Sequence, residues 1–275
     1  MEPETKSLGL PPSYEDTIQE GFKNASQNDL PPTKLLLEDG SIREQSTSTL
    51  FYKLSRSVTT LPKTPPKNSS VTFERVESSI PEKAESSETP QQNHCHKHLF
   101  YLAHPADAQY RTDTPAYYIT SVDASTTLGN LHFETSKPLF QKTEFTARLS
   151  SKRTSAHNPL FDEAEKTSTL FTARSAKWLS GRSNYTWTDG HGRQMAIEDG
   201  PTKNSQHRLD IFVPMSQEMR DALVSLWVLR LWFERAESRE AKKEALERMT
   251  PAVPYQDMKL MKKTGALGAL GAVGC

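Results

Sequence analysis

The sequence predicts a mainly β protein: an antiparallel β-barrel that encloses one hydrophobic α-helix and is preceded by a long disordered N-terminal region. Three observations predict it. Over residues 222–233 every position is apolar except Ser225 and Arg230, so apolar surface wraps most of the helix circumference, and such a helix must be surrounded. Before it, over residues 117–213, roughly eight short segments alternate apolar and polar residues with no helical pattern between them, which excludes a doubly wound parallel sheet. The first 98 residues carry ten of the chain's 18 prolines in a mixture of Ser, Thr, Glu and Lys. A closed barrel is the economical wrapper, because closure removes sheet edges and encloses an apolar rod. A two-layer α+β sandwich is the alternative.

Residues 1–98 read as a disordered Pro/Ser/Thr-rich arm, since that composition buries too little apolar area to offset the entropy of ordering. Two apolar islands, 35–37 and 50–54, interrupt it and either dock on a partner or fold back on the domain. From residue 99 the composition changes. AYYITSV (116–122), NLHFET (130–135), PLFQKTEFTARLS (138–150), NPLFD (158–162), STLFTAR (168–174), SNYTWTD (183–189), RQMAIED (193–199) and HRLDIFVP (207–214) each read as a strand. Leu131 with Phe133, Tyr185 with Trp187, and Leu209 with Ile211 keep the period of two that gives one buried and one wet face. Asp189-Gly190 followed by Gly192 supplies the positive φ angles of a hairpin turn.

The helix is expected at about 216–234. Pro214 ends what precedes it, Ser216 can cap a free first-turn N–H, and Glu218 and Asp221 place negative charge near the positive end of the dipole. Twelve apolar-rich residues at about 1.5 Å each give about 18 Å, short of the roughly 30 Å of a bilayer core, and Arg230 lies inside the run, so a membrane span is not expected. After Phe233 the chain turns polar, with Glu and Lys/Arg at helical spacing, and a solvated helical extension to residue 250 is expected in spite of the like-charged Glu240 and Glu244. Pro251 and Pro254 close it. Residues 251–275 read as a flexible Gly/Ala-rich tail ending in Cys275.

Across 275 residues the charge balances, 34 basic against 34 acidic, so no overall field argues for a nucleic-acid partner. A hydrophobic content of 35% and a mean hydropathy of -0.68 are low for a chain packed throughout. Two distant cysteines, Cys95 and Cys275, give no disulfide framework, and the polar N-terminus has no secretory h-region; a cytoplasmic protein is expected.

The paired Tyr117 and Tyr118, the run of short antiparallel strands ending in HRLDIFVP, and the Trp-containing apolar helix together resemble the Tubby C-terminal-like fold. That family includes small fungal members and the LURP-one and phospholipid-scramblase proteins. The resemblance covers about residues 99–234 and is one of pattern, with no diagnostic motif. It implies lipid or phosphoinositide association and membrane-linked scaffolding in place of catalysis. No recognisable phosphoinositide motif is present, so no lipid ligand is carried over from the family.

Lys137, Lys142, Arg148, Lys152 and Arg153 form a local basic cluster in sequence. They are the lipid-binding candidates, able to meet phosphate head groups at about 1 kcal/mol per side chain, or else they are an ordinary lysine-protected sheet edge. The sharpest motif is Leu10-Pro11-Pro12-Ser13-Tyr14. It resembles the PPxY ligands of HECT-type ubiquitin ligases, whose WW domains hold the prolines in an aromatic groove and the tyrosine in a pocket. Pro11, Pro12 and Tyr14 are therefore the partner-binding residues. Cys275, preceded by Lys259, Lys262 and Lys263, is a candidate for acylation, but its terminal position does not fit a prenylation box.

The run His94, Cys95, His96, His98 and His104 holds zinc-type ligands at a spacing too tight for a finger. It reads as a polar linker, with no metal site expected. No G-x-S-x-G elbow, P-loop, H-E-x-x-H or dinucleotide fingerprint occurs, so no catalytic residue and no cofactor are assigned. The function expected is that of a non-enzymatic lipid- or membrane-associated adaptor, cytoplasmic or peripheral at the inner face of a membrane. The alternative is a small-molecule-binding or hydrolytic enzyme with a site in the barrel mouth. An interior filled by Leu226, Trp227, Leu229 and Trp232 favours the adaptor; an open mouth lined with convergent polar groups favours the enzyme.

Overall fold

The computed structural model describes residues 29–60, 70–79, 93–105, 115–137, 142–151, 168–175, 184–200 and 206–236. These form twelve strands and one helix. The first five strands are β1 (Thr33–Glu38), β2 (Ser41–Glu44), β3 (Leu50–Leu54), β4 (Ser70–Ser79) and β5 (Asn93–Ala103). Then come β6 (Tyr118–Ser121), β7 (Gly129–Ser136), β8 (Glu144–Ser151) and β9 (Ser168–Ser175). β10 (Tyr185–Asp189), β11 (Gln194–Asp199), β12 (His207–Ile211) and the helix α1 (Gln217–Ala236) complete the order. Each strand pairs antiparallel with its neighbour in sequence, and β12 returns to β1 to close the barrel, with Leu35 opposite Leu209 and Thr33 opposite Ile211. The sandwich alternative is thereby excluded.

Alternation builds the wall. Leu35 and Leu37 on β1, Tyr52 and Leu54 on β3, Phe133 on β7, Phe145 and Ala147 on β8, Tyr185 and Trp187 on β10, and Leu209 and Ile211 on β12 are all buried. Their neighbours Lys34, Lys53, Thr146 and Thr186 are exposed or half-buried. Inside runs α1, whose residues from Arg220 to Trp232 are buried without interruption. A helix buried on every face has wall on every side, and its side chains meet strands from around the circumference: Thr33 of β1, Tyr52 of β3, Arg75 of β4, Tyr185 of β10 and Glu198 of β11. Ser216 caps it, its Oγ accepting from Met219 N at 3.3 Å, and the buried Ser225 hydroxyl donates back to the Ala222 carbonyl at 2.9 Å. The chain clusters into one compact unit of residues 1–232 and a second of residues 233–275. Of the second, only residues 233–236, the end of α1, are described.

The sequence-predicted elements from residue 116 onward recur with small shifts, except that the strand expected over 138–150 begins only at Glu144, with 138–141 outside the described residues, and the helix ends two residues later than expected. NPLFD, the polar extension after residue 236 and the terminal tail lie outside the described residues. One expectation is corrected. Residues 33–54, 70–79 and 93–98 are not arm but wall: they supply β1 to β4 and the first half of β5. The islands at 35–37 and 50–54 fold back as β1 and β3. Average composition hid them because a barrel strand of five or six residues needs only two or three inward apolar side chains. Ser, Thr, Lys and Glu on the outer face then dilute the mean.

The β10–β11 hairpin carries a second, smaller correction. Of its two glycines only Gly192 has positive φ, 83°. It follows a turn in which Gly192 N donates to the Asp189 carbonyl at 3.0 Å, the arrangement of a three-residue hairpin loop with a bulge. Gly190 is needed for space, since a Cβ there would stand 2.7 Å from the Thr169 carbonyl oxygen.

Candidate functional site

With the helix inside, its buried charged side chains gather into two clusters along its length. In the first, Asp221 of α1 is fully buried and takes three hydrogen bonds: from Tyr52 Oη at 2.8 Å, from Arg75 Nη1 at 2.6 Å and from Gln217 Nε2 at 2.7 Å. Tyr52 and Arg75 are cross-strand partners on β3 and β4, which is why both reach the same carboxylate. Arg75 is shared, since its Nη2 also binds Glu77 Oε1 at 2.6 Å, and Glu77 is 46% exposed at its side chain. Burial raises the Asp221 carboxyl above its ordinary range, against the pull of Arg75 and of the Tyr52 hydroxyl. Burial, and then the Asp221 charge, push the Tyr52 phenol well up, so it remains a donor. Beside them Arg220 binds the Pro31 carbonyl and donates to Thr33 Oγ1 at 3.3 Å, tying α1 to the segment entering β1.

In the second cluster Arg230 meets Glu198 of β11 in a two-pronged pair, Nε to Oε2 at 2.7 Å and Nη2 to Oε1. Both side chains are 1% exposed. The guanidinium lies 4.2 Å from the ring centre of Tyr185, the cross-strand neighbour of Glu198. This fork-to-fork geometry is the strong form of an ion pair, further favoured by the aromatic face.

Neither cluster resembles reaction machinery: in each, a carboxylate is saturated by arginine and, in the first, by hydroxyl and amide donors. They act as internal anchors that fix the rotation and height of α1 in the barrel. The open spaces lie elsewhere. One cleft of about 530 Å³ is lined by Pro32, Lys34, Gln45 and Phe212 where β1, β2 and β12 meet. Another of about 420 Å³ lies near the start of α1, between Phe171, His191, Met195, Met215 and Met219. Asp189 on its rim is committed to its own hairpin, accepting from the backbone N–H groups of His191 and Arg193, each at 2.9 Å. Partial burial pushes its carboxyl up, but those bonds and the Arg193 guanidinium hold it below the usual range.

The sequence-predicted site residues are not brought to one place. Lys137 and Lys142, both exposed, flank the connection between β7 and β8 at one end of the wall. Arg148 sits midway along β8 on the outer face, opposite His132, and its Nε pairs with Glu134 at 2.9 Å. Lys152 and Arg153 lie outside the described residues. Ser151, which precedes them, is separated from Glu144 by the length of β8, about 24 Å at 3.4 Å per residue. Among the described members, then, Lys137 and Lys142 share an end and Arg148 is engaged. Pro11, Pro12, Tyr14 and Cys275 lie outside the described residues. Cys95 is an exposed free thiol.

The histidines of the supposed linker prove to be placed by structure. His96 and His98 belong to β5. His104, just after it, stacks on Tyr117 at 3.9 Å and meets the edge of Trp232 at 6.1 Å. Among the described residues no group of three His, Cys, Asp or Glu side chains is arranged around a common metal position, and no helix is long and apolar enough to cross a membrane.

Sequence reasoning missed Tyr52, Arg75 and Glu198, and assigned Asp221 to the helix dipole when it is the hub of a buried network. A signal existed in Glu198 and Arg75: each continues the inward parity of its strand, two residues after Ala196 and Phe73. A charge at an inward position demands an internal partner. Asp221 and Arg230, charges on an otherwise apolar helix, are the partners so demanded. Comparison of the chain with family models, curated proteins and solved structures found no match.

Proposed function

We propose that the chain is a non-enzymatic binding protein of Tubby-like type, an adaptor that meets an anionic phospholipid surface through its barrel and recruits a WW-domain partner, such as a HECT-type ubiquitin ligase, through its N-terminal arm. The observation that carries the non-enzymatic reading is the filled interior: Leu226, Trp227 and Leu229 are fully buried and Trp232 nearly so. The two buried carboxylates that a catalytic site would draw on, Asp221 and Glu198, are each held by an arginine. An antiparallel barrel around one apolar helix is also the arrangement that the sequence resemblance implies, although β1 to β4 lie outside the residues it covers. What remains for function is the outer surface and the arm.

On that surface Lys137, just after β7, and Lys142, just before β8, are both exposed, and two such lysines can approach a membrane together at about 1 kcal/mol each. Sedimentation of the full chain with vesicles of phosphatidylcholine alone and with added phosphoinositide, at low and high salt, tests the lipid half. Binding is expected only with the anionic lipid, weakened by salt and by Lys137→Glu with Lys142→Glu. An absence of binding to every composition overturns it. For the arm, capture by immobilised WW domains is expected for the wild type and lost in Tyr14→Ala; equal capture removes Pro11, Pro12 and Tyr14 from the account.

A further inference from the structure

Strand β5 carries a histidine at alternate positions on its outer face, and the rings of His96 and His98 are each held by one nitrogen. His96 Nδ1 lies 3.4 Å from Glu74 Oε2 on the adjacent β4. His98 Nε2 lies 3.0 Å from the Phe100 carbonyl oxygen, and its ring meets Tyr101 edge-on at 4.4 Å. A carbonyl oxygen only accepts, so Nε2 of His98 carries the proton and Nδ1 holds the lone pair. The Glu74 carboxylate faces Nδ1 of His96 in the same way, which leaves Nε2 as the nitrogen turned away from it. Carboxylate or carbonyl anchorage of one imidazole nitrogen is the arrangement found behind metal-bound histidines, because it fixes the tautomer and raises the basicity of the other nitrogen. The register reinforces it: Glu74 stands directly across from His98 and diagonal to His96, which faces Val76, so one carboxylate neighbours both histidines across the ribbon.

We propose that His96 Nε2 and His98 Nδ1 chelate a divalent transition-metal ion of the borderline class, Zn²⁺ or Ni²⁺, with Glu74 as the orienting carboxylate and water completing the coordination. On a strand, residues i and i+2 share a face about 6.6 Å apart, close enough for two imidazoles to bind one ion with bonds of about 2.0–2.1 Å. The spacing that is too tight for a zinc finger is suited to a strand. His96 is solvent-accessible at its side chain, giving the ion an entry path. Cys95, one residue along, falls on the opposite face by alternation and is not a ligand. Among the described residues no third His, Cys, Asp or Glu joins them in a group of three, so the chelate proposed is open.

Zinc competition against a chromophoric chelator, using the full chain with circular dichroism as a folding control, decides it. The wild type is expected to bind one Zn²⁺ more tightly than His96→Ala or His98→Ala by at least about tenfold, with Glu74→Gln weakened by about 10- to 100-fold through loss of its orienting role. Cys95→Ser and His191→Ala are expected to bind as the wild type does. The proposal is overturned by a wild type that takes up no Zn²⁺ in the millimolar range, by equal affinity in the wild type and the two histidine variants, by loss in only one of those variants, or by loss in Cys95→Ser. Ni²⁺ run in parallel should rank the variants in the same order; a different order also overturns the chelate.

Discussion

The two buried clusters are made of the same chemistry, an arginine facing a carboxylate beside a tyrosine, yet they differ in how they end. The Arg230–Glu198 pair is sealed: both side chains are 1% exposed, and Tyr185 covers the guanidinium. The Asp221 cluster leaks: Arg75 is 16% exposed and hands its second face to the half-exposed Glu77. Removing one member of a sealed pair leaves the other's charge cut off from solvent, whereas a network that reaches solvent can re-partner through water. The difference separates what fixes the helix from what tolerates change, and it ranks the consequences of substitution.

The largest effect is expected for Glu198→Ala, which takes the two-pronged carboxylate from the buried Arg230 at about 3–5 kcal/mol, read as a fall in unfolding free energy by urea titration. The sealed character is sharpened by the double variant Glu198→Leu with Arg230→Met, expected to recover most of that loss because neither charge is then buried. A double variant as unstable as the single one would break the comparison. Arg75→Ala should cost less, about 1–3 kcal/mol, since Asp221 keeps its bonds from Tyr52 and Gln217. If Arg75→Ala equals Glu198→Ala, the leak has no energetic meaning.

A pH effect comes next. Burial lowers the pKa of His132 on β7 below its ordinary value, more than Glu134 raises it. The unfolded chain therefore takes up a proton on this residue at a higher pH than the folded one, and the stability associated with it is lost as pH falls below about 6.5. Comparing wild type with His132→Gln at pH 7.5 and 5.5 should show a smaller acid loss in the variant. The smallest effect is expected outside the wall, where Arg148→Ala removes a partly exposed pair with Glu134 and should cost no more than about 1 kcal/mol.

Legibility in the sequence followed the density of the signal. The helix was readable because residues 222–233 are apolar on every face, and the strands from β6 onward because Leu131 with Phe133 or Tyr185 with Trp187 give unbroken alternation. β2, with Ile42 as its single buried apolar residue, and β4, where Val71 and Phe73 stand among Ser, Thr and Glu, carry too few inward side chains to rise above a polar background. Pairing was not readable at all. Nothing local links Tyr52 to Asp221 or Glu198 to Arg230, because those contacts exist only after the barrel has set the register. The histidines on β5 were visible as residues but not as a face, since their meaning depends on knowing that the segment is a strand.

The closing pair of β1 with β12, and the bond of Arg220 to Thr33 from 187 positions away, have a consequence for how the molecule comes into being. The rod that fills the barrel is the last described element to leave the ribosome, so every strand made before it waits with an unfilled apolar face. Such a topology has long loops to close and folds slowly, with its edges open meanwhile. A chain cut short before residue 217 lacks the side chains that fill the barrel, so its strands would turn their apolar inner faces to water.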